Sequence, residues 1–242
     1  INEKVIFDNT IEFSNVSYKF QGYKEHVLKS LCFKIKKNQS IGIVGKTGSG
    51  KTTLLDIFLG LLKPTSGKIL IDNKDFTFNL NQKGWHHKIG YISQNVTLID
   101  DTIQNNIALG VEQDEINKQW IEDALEKANL KKFVDKLPEG IDTIVGEKGV
   151  KLSGGQIQRI GIARAIYSDP EILCLDEATS SLDYQTENEI LKTIISIKKN
   201  KTVIIIAHRL KTIENCDEII EMSDGKINKI SSPDEYLKNY VN

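Results

Sequence analysis

The chain has 242 residues, 39% of them hydrophobic and 27% charged, with 32 Lys plus Arg against 33 Asp plus Glu and a formal net charge of −1. That length can bury a large core and suits one α/β domain carrying a subdomain better than two independent domains, and the balanced charge gives no footing for a nucleic-acid-binding surface. Cys32, Cys174 and Cys216 are odd in number, widely spaced and outside any Cys-x-x-Cys pair, which argues against a disulfide framework or a zinc site and suits a reducing compartment.

Residues 3 to 36 alternate apolar and polar in short pieces, Val5-Ile6-Phe7, Ile11-Glu12-Phe13, Val27-Leu28 and Leu31 to Ile35. This predicts antiparallel strands with one solvated face, with Phe20 and Tyr23 in the turn between two of them. An apolar strand, Ser40 to Val44, then runs into Gly45-Lys46-Thr47-Gly48-Ser49-Gly50-Lys51-Thr52, and a helix follows from Thr53 to Leu59. Pro64 and Gly67 stop that helix, and Lys68 to Ile71 begins another strand. A short strand, Ile89 to Ser93, ends at Gln94. From there to about Gly155 the character is helical, with Ile116, Trp120, Ile121, Ala124, Leu125 and Ala128 at helical spacing within an amphipathic helix from Glu115 to Asn129, and another turn or two over Lys131 to Leu137. A long helix from Gly155 to Ser168 precedes Ile172 to Leu175, apolar on both faces as in a buried parallel strand, with Cys174 as a small core residue. A helix through Glu187 to Ile197, a second buried run from Val203 to Ile206, and two strand-like pieces, Glu218 to Met222 and Lys226 to Ile230, complete the chain. No stretch reads as a membrane span or a signal peptide, and the start at Ile1 rather than Met is what a piece cut from a longer chain would show.

Three stretches carry chemistry. The glycines of Gly45 to Thr52 let consecutive backbone N–H groups point inward, and the start of the following helix adds a partial positive charge. A strand, a glycine loop with Lys-Thr and a helix are the context a phosphate-binding loop requires. Lys51 is placed to reach β- and γ-phosphates, and the Thr52 hydroxyl to ligate Mg2+, with Thr53 next in the helix. Asp176 and Glu177 close the buried strand from Ile172; beside a phosphate loop, Asp176 suits the hydration shell of Mg2+ and Glu177 can orient and deprotonate an attacking water. As a bare pattern Asp176 also suits a helix cap. In Leu152-Ser153-Gly154-Gly155-Gln156, Ser153 and Gln156 have capping-box spacing, and the free N–H groups of Gly154 and Gly155 at the helix start make an anion site without a lysine. That suits closing over a γ-phosphate held elsewhere.

On these motifs the sequence resembles the nucleotide-binding domain of an ATP-binding-cassette transporter over nearly its whole length. The motifs stand in the family's order: the phosphate loop Gly45 to Thr52, a Q-loop at Gln94, the signature Leu152 to Gln156, the Walker B strand Ile172 to Asp176 followed by Glu177, a D-loop Ser180-Ser181-Leu182-Asp183, and the switch His208. The resemblance implies an α/β fold: a P-loop NTPase core of mostly parallel sheet flanked by helices, with an N-terminal antiparallel β subdomain and an α-helical subdomain. Residues 1–94 and 156–242 would form the core with its β subdomain, and 95–155 the helical subdomain. Thr143 to Gly149 is similar to a segment that exporters carry before the signature and importers generally lack, and Leu98 to Ile107 resembles the exporter stretch that contacts the membrane domain. The overall tone is closest to bacterial lipid or lipid-linked-oligosaccharide flippases.

The family stacks adenine on an aromatic, often Tyr, where this sequence has Phe20; Phe keeps the π-face, and Tyr18 and Tyr23 are the alternatives. By the same resemblance two domains meet head to tail, each ATP lying between one phosphate loop and the other chain's signature, with Asp183 of the D-loop among the nucleotide-binding residues. Glu177, His208 and Lys51 would be catalytic, while Thr52, Gln94 and Asp176 would hold Mg2+. The expected partners are a second such domain and a membrane-spanning domain at the cytoplasmic face of a plasma membrane, without nucleic acid, the isolated domain being soluble. An importer subunit, a non-transport relative working in DNA repair or on ribosomes, and a small-molecule kinase are the rival readings; the last leaves Leu152 to Gln156 without purpose.

Overall fold

The computed structural model describes residues 5–76, 83–177, 184–198, 200–207 and 209–238. In chain order the elements are β1 (Thr10–Tyr18), β2 (Leu28–Lys36), β3 (Ser40–Val44), α1 (Lys51–Phe58), β4 (Ser66–Ile71), β5 (Lys74–Asp75), β6 (Ile89–Ile92) and α2 (Ile103–Ile107). They continue with α3 (Lys118–Lys127), α4 (Lys131–Val134), α5 (Gly154–Ile166), β7 (Ile172–Asp176), α6 (Tyr184–Ile197), β8 (Thr202–Ile206), α7 (Leu210–Ile213), β9 (Glu218–Ser223), β10 (Lys226–Ser231) and α8 (Pro233–Lys238). The chain forms two compact units, one of Ile1–Ile89 with Asn200–Asn242 and one of Gly90–Lys199.

In the first unit β1 pairs antiparallel with both β2 and β4, setting Phe13 opposite Phe33 and Ile69, and the strand order is β2-β1-β4-β5. The expected alternation holds in β2, where Leu31, Phe33 and Ile35 are buried and the residues between them are exposed, as a sheet with one wet face requires. The Phe13 ring stacks on Phe33 at 4.5 Å and faces Phe58 of α1 at 6.3 Å, which seats the helix after the phosphate loop on this layer. Val5 to Phe7, expected as a strand, lies outside any strand. After it the N–H groups of Asp8, Asn9 and Thr10 donate to the Asp72 carboxylate at 2.6, 2.7 and 2.7 Å, which satisfies the backbone donors at the entry to β1.

The other sheet of this unit has the order β10-β9-β3-β8, with β3 parallel to β8 and β9 and β10 antiparallel to β9; Ile41 of β3 lies opposite Ile204 on one side and Glu218 on the other. Every residue of β3 and β8 is buried, the signature of parallel strands covered on both faces. The Ser40 N–H and hydroxyl donate to the Asp217 carboxylate at 2.7 and 2.6 Å, tying β3 to the start of β9.

In the second unit β6 lies beside β7. The amphipathic helix starts at Lys118, three residues later than its periodicity predicts, because the Asn117 side chain accepts from the N–H groups of Gln119 and Trp120 and caps it there. Ile121, Ala124 and Leu125 form its buried stripe; Trp120 stays half exposed with its edge against Tyr167. α5 carries the heaviest traffic. Gly161 approaches Val96 so closely that a Cβ there would lie 2.4 Å from its Cγ2, and Arg164 donates to the carbonyls of Asn106 and Thr97 at 2.7 and 3.1 Å.

Candidate functional site

The glycine loop sits between buried β3 and α1. Gly45, Gly48 and Gly50 all have positive φ, and Gly50 caps α1 with no side chain on the first-turn N–H groups. Those donors therefore point at whatever fills the loop. Lys51 is 95% buried, since only 5% of its surface is exposed. Its ammonium donates to the carbonyls of Gly45 and Lys46 at 2.8 and 3.0 Å, which holds the charge inside the loop. The Ser49 Oγ is buried without a hydrogen-bond partner among the described residues, and a Cβ at Gly45 would come within 2.7 Å of it. A buried orphan hydroxyl in a ring of inward donors and one lysine fits a polyphosphate. Lys46, Thr47, Gly48 and Thr52 are exposed.

In the same unit the residues between β1 and β2 form a small aromatic cluster. The Phe20 ring meets Tyr18 edge-on at 5.0 Å and Tyr23 at 6.2 Å, and both Phe20 and Tyr23 are exposed. Phe20 is thus an exposed ring held by two aromatic neighbours.

The second unit holds the other groups. Ser153 caps α5, accepting from the Gln156 N–H at 3.3 Å while the Gln156 side chain accepts from the Ser153 N–H at 2.7 Å, so the capping box predicted from spacing is formed. Ser153 and Gly154 are exposed, and Ser153 to Gln156 contain no cation. Asp176 ends β7 and accepts from the Tyr91 hydroxyl at 3.4 Å. Glu177 follows with φ 48, a left-handed conformation that costs a non-glycine residue about 1 kcal/mol. Gln94 lies on an exposed bend after β6. Gln94 and Asp176 of this unit offer amide and carboxylate oxygens, hard donors of the kind Mg2+ takes, and in the first unit the exposed Thr52 offers a hydroxyl of the same kind; among the described residues no group of three or more His, Cys, Asp or Glu forms a metal cluster.

The two stretches likened to exporters, Leu98 to Ile107 and Thr143 to Gly149, meet in this unit. Thr102 bridges Ile144, and the N–H groups of Ile103 and Val145 donate to the carbonyls of Thr143 and Asp101 at 3.0 and 3.1 Å. Ile99 and Ile144 are exposed on these stretches. His208 and the D-loop Ser180 to Asp183 lie outside the described residues. Sequence reasoning passed over Arg164, Asn106 and the turn at Gly225. Gly225 alone carried a signal, an Asp-Gly pair between two strands.

A family model described as "ABC transporter" matches residues 28–180. Among curated proteins, the ATP-dependent lipid A-core flippase of Idiomarina loihiensis is 43% identical over 217 residues, covering 90% of this chain and 37% of that protein. The putative multidrug export ATP-binding/permease protein YgaD of Bacillus subtilis is 38% identical over 227 residues, covering 94% of this chain and 39% of its own length. Among solved structures, that of a bacterial Atm1-family ABC exporter with ATP bound superposes with a TM-score of 0.87 at 34% identity, covering 98% of this chain and 41% of that one. The chain thus spans about two-fifths of the length of these relatives, and no helix among the described residues is long and apolar enough to cross a membrane.

Proposed function

This chain belongs to the ABC transporter family, and on that premise we propose that it is the ATP-hydrolysing motor of an exporter, working as a head-to-tail pair of domains joined to a membrane-spanning part. The observation that carries the proposal is the exposed, capped start of α5. It is an anion-binding turn without a lysine, while the lysine loop Gly45 to Thr52 stands at the start of another helix. A turn of that kind gains full use when a triphosphate already gripped by a lysine loop arrives on a second copy.

In this mechanism the backbone N–H groups of Gly45 to Thr52 cradle the phosphates and Lys51 leaves its carbonyl partners for the β- and γ-phosphates. Phe20 stacks on the adenine. Ser153, Gly154 and Gly155 of the other copy close over the γ-phosphate, so that ATP joins the two domains. Glu177 then takes a proton from water as it attacks the γ-phosphorus in line, with His208 helping to fix Glu177 and the water, and release of phosphate separates the pair. A Mg2+ held by Thr52, Asp176 and Gln94 would offset charge on the β- and γ-oxygens. The paired stretches Leu98–Ile107 and Thr143–Gly149, with their exposed apolar side chains, are the proposed contact with the membrane-spanning part at the cytoplasmic face. The division into a core of 1–94 with 156–242 and a helical subdomain of 95–155 belongs to the same proposal, as does exporter rather than importer type, supported by the export functions in the relatives' names.

The test is Ser153→Arg in the purified chain. The variant keeps the affinity for ATP, measured by calorimetry, but forms no dimer at saturating ATP, measured by light scattering. Undiminished dimerisation refutes the shared site.

A further inference from the structure

A single peptide turn joins the phosphate loop to the base of the aromatic loop. In the turn between β9 and β10, the Gly225 N–H donates to the Ser49 carbonyl at 3.2 Å, while the Gly225 carbonyl accepts from the Lys29 N–H at 2.8 Å. Beyond Lys29 the connection continues: the Val27 N–H donates to the Tyr18 carbonyl at 2.8 Å, closing the aromatic loop at its root, and the Tyr18 ring supports Phe20.

There is no slack in this seam. Gly225 has φ 75, and a Cβ on it would lie 2.1 Å from the Val27 carbonyl oxygen. A Cβ at Gly45 would meet the Met222 carbonyl oxygen at 2.3 Å, and one at Gly50 would meet Leu28 Cδ2 at 2.6 Å. Gly225 and Gly45 thus bring backbone against backbone at closer range than any side chain permits, and Gly50 lies against the end of the Leu28 side chain. A methyl group at 225 would have to push the Val27 backbone away by about 1 Å to reach ordinary contact.

We propose that Gly225 is a positioning residue for the nucleotide: its turn is the spacer that holds the aromatic loop at the distance from the phosphate loop that a nucleoside triphosphate spans. The inference rests on the nucleotide reading above and adds to it a residue that touches neither base nor phosphate. A rigid spacer pre-organises both ends of the site, so the ligand gains stacking without ordering the loop itself. Displacing Val27 moves the aromatic cluster while leaving the inward N–H groups of the phosphate loop in place, and the cost falls on the base end of the ligand.

The experiment compares MgATP with magnesium tripolyphosphate, which has the phosphates and no base, by calorimetric titration of the purified chain. Gly225→Ala introduces both backbone strain and the Cβ; Gly225→Asn tolerates the left-handed conformation and keeps only the Cβ. Because a base stacked on an aromatic ring contributes about five- to 150-fold in binding, both variants lose about tenfold or more in ATP affinity and less than threefold for tripolyphosphate. Equal losses for the two ligands, or an unchanged ATP affinity in a folded variant, overturn the proposal. Hydrogen exchange on the unsubstituted chain provides a measurement independent of variant folding: ATP slows exchange of the Lys29 and Gly225 amides more than tripolyphosphate does, and equal protection by both overturns the spacer. An unsubstituted chain that binds tripolyphosphate but not ATP refutes the nucleotide reading itself, and the spacer with it, a result distinct from either of the others.

Discussion

Arg164 is the residue whose replacement tests the packing of the second unit most directly. Its guanidinium donates to the Asn106 carbonyl at 2.7 Å, the Thr97 carbonyl at 3.1 Å and the Asn106 side-chain oxygen at 3.4 Å, and Asn106 is fully buried. The Asn106 amide in turn holds the carbonyls of Ile99 and Thr102 at 3.1 and 3.0 Å. Arg164→Met keeps the stem and removes all three donors, stranding acceptors on the Thr97–Ile107 segment. Hydrogen bonds from a charged donor contribute about 1.5–3 kcal/mol each, the longest of these three contributes little, and the two short ones share a segment and do not add fully. Burial also lowers the Arg164 pKa, so part of the gain offsets desolvation. The expected loss is about 2–4 kcal/mol. Arg164→Lys keeps the charge but not the fork and recovers less than half of it. Urea unfolding at 25 °C, followed by far-UV circular dichroism and by the fluorescence of Trp120, measures both. A Lys variant within about 0.5 kcal/mol of the original chain, the scatter of ordinary surface changes, refutes the reasoning, because the fork would then be immaterial.

Gly90→Ala costs about 2–3 kcal/mol and lowers the melting temperature, because its Cβ would lie 2.1 Å from the Ala165 carbonyl oxygen and 2.9 Å from Leu173 and Pro170 side-chain carbons; an unchanged melting temperature contradicts the contact. Partial burial pushes the Asp72 carboxyl up, but the backbone N–H groups of Asp8, Thr10 and Asn9 and the charge of Lys37 hold it net below its ordinary 3.8. A value depressed by folding means that the stabilisation is complete above about pH 4 and is lost as pH falls through the folded value. Asp72→Asn therefore lowers the urea midpoint at pH 7 and lowers it progressively less as pH falls through the folded value, and an effect independent of pH contradicts the assignment. Glu177→Gln binds ATP normally, accumulates an ATP-bound dimer in size-exclusion chromatography and loses turnover by about a hundredfold or more in a phosphate-release assay; unaltered turnover removes Glu177 from the base role.

The chain's own order of residues determined the element types and the chemistry of each motif, because these depend on neighbours a few positions apart. Period-two alternation marked β2, unbroken apolar runs marked β3, β7 and β8, and the Ser153/Gln156 spacing specified a capping box that the fold contains. The local signal failed at Val5 to Phe7, which lie outside any strand although the strand β1 begins at Thr10, just after the N–H groups of Asp8 and Asn9 that the distant Asp72 takes. Only the tertiary structure decided which stretches meet. Arg164 finds its acceptors on Thr97 and Asn106, 67 and 58 residues away. Gly225, far along the chain from either loop, lies between Ser49 and Lys29. Hydrogen bonds and close glycine contacts of that kind act over about 3 Å in space, and sequence separation carries no information about that distance until the strands have paired.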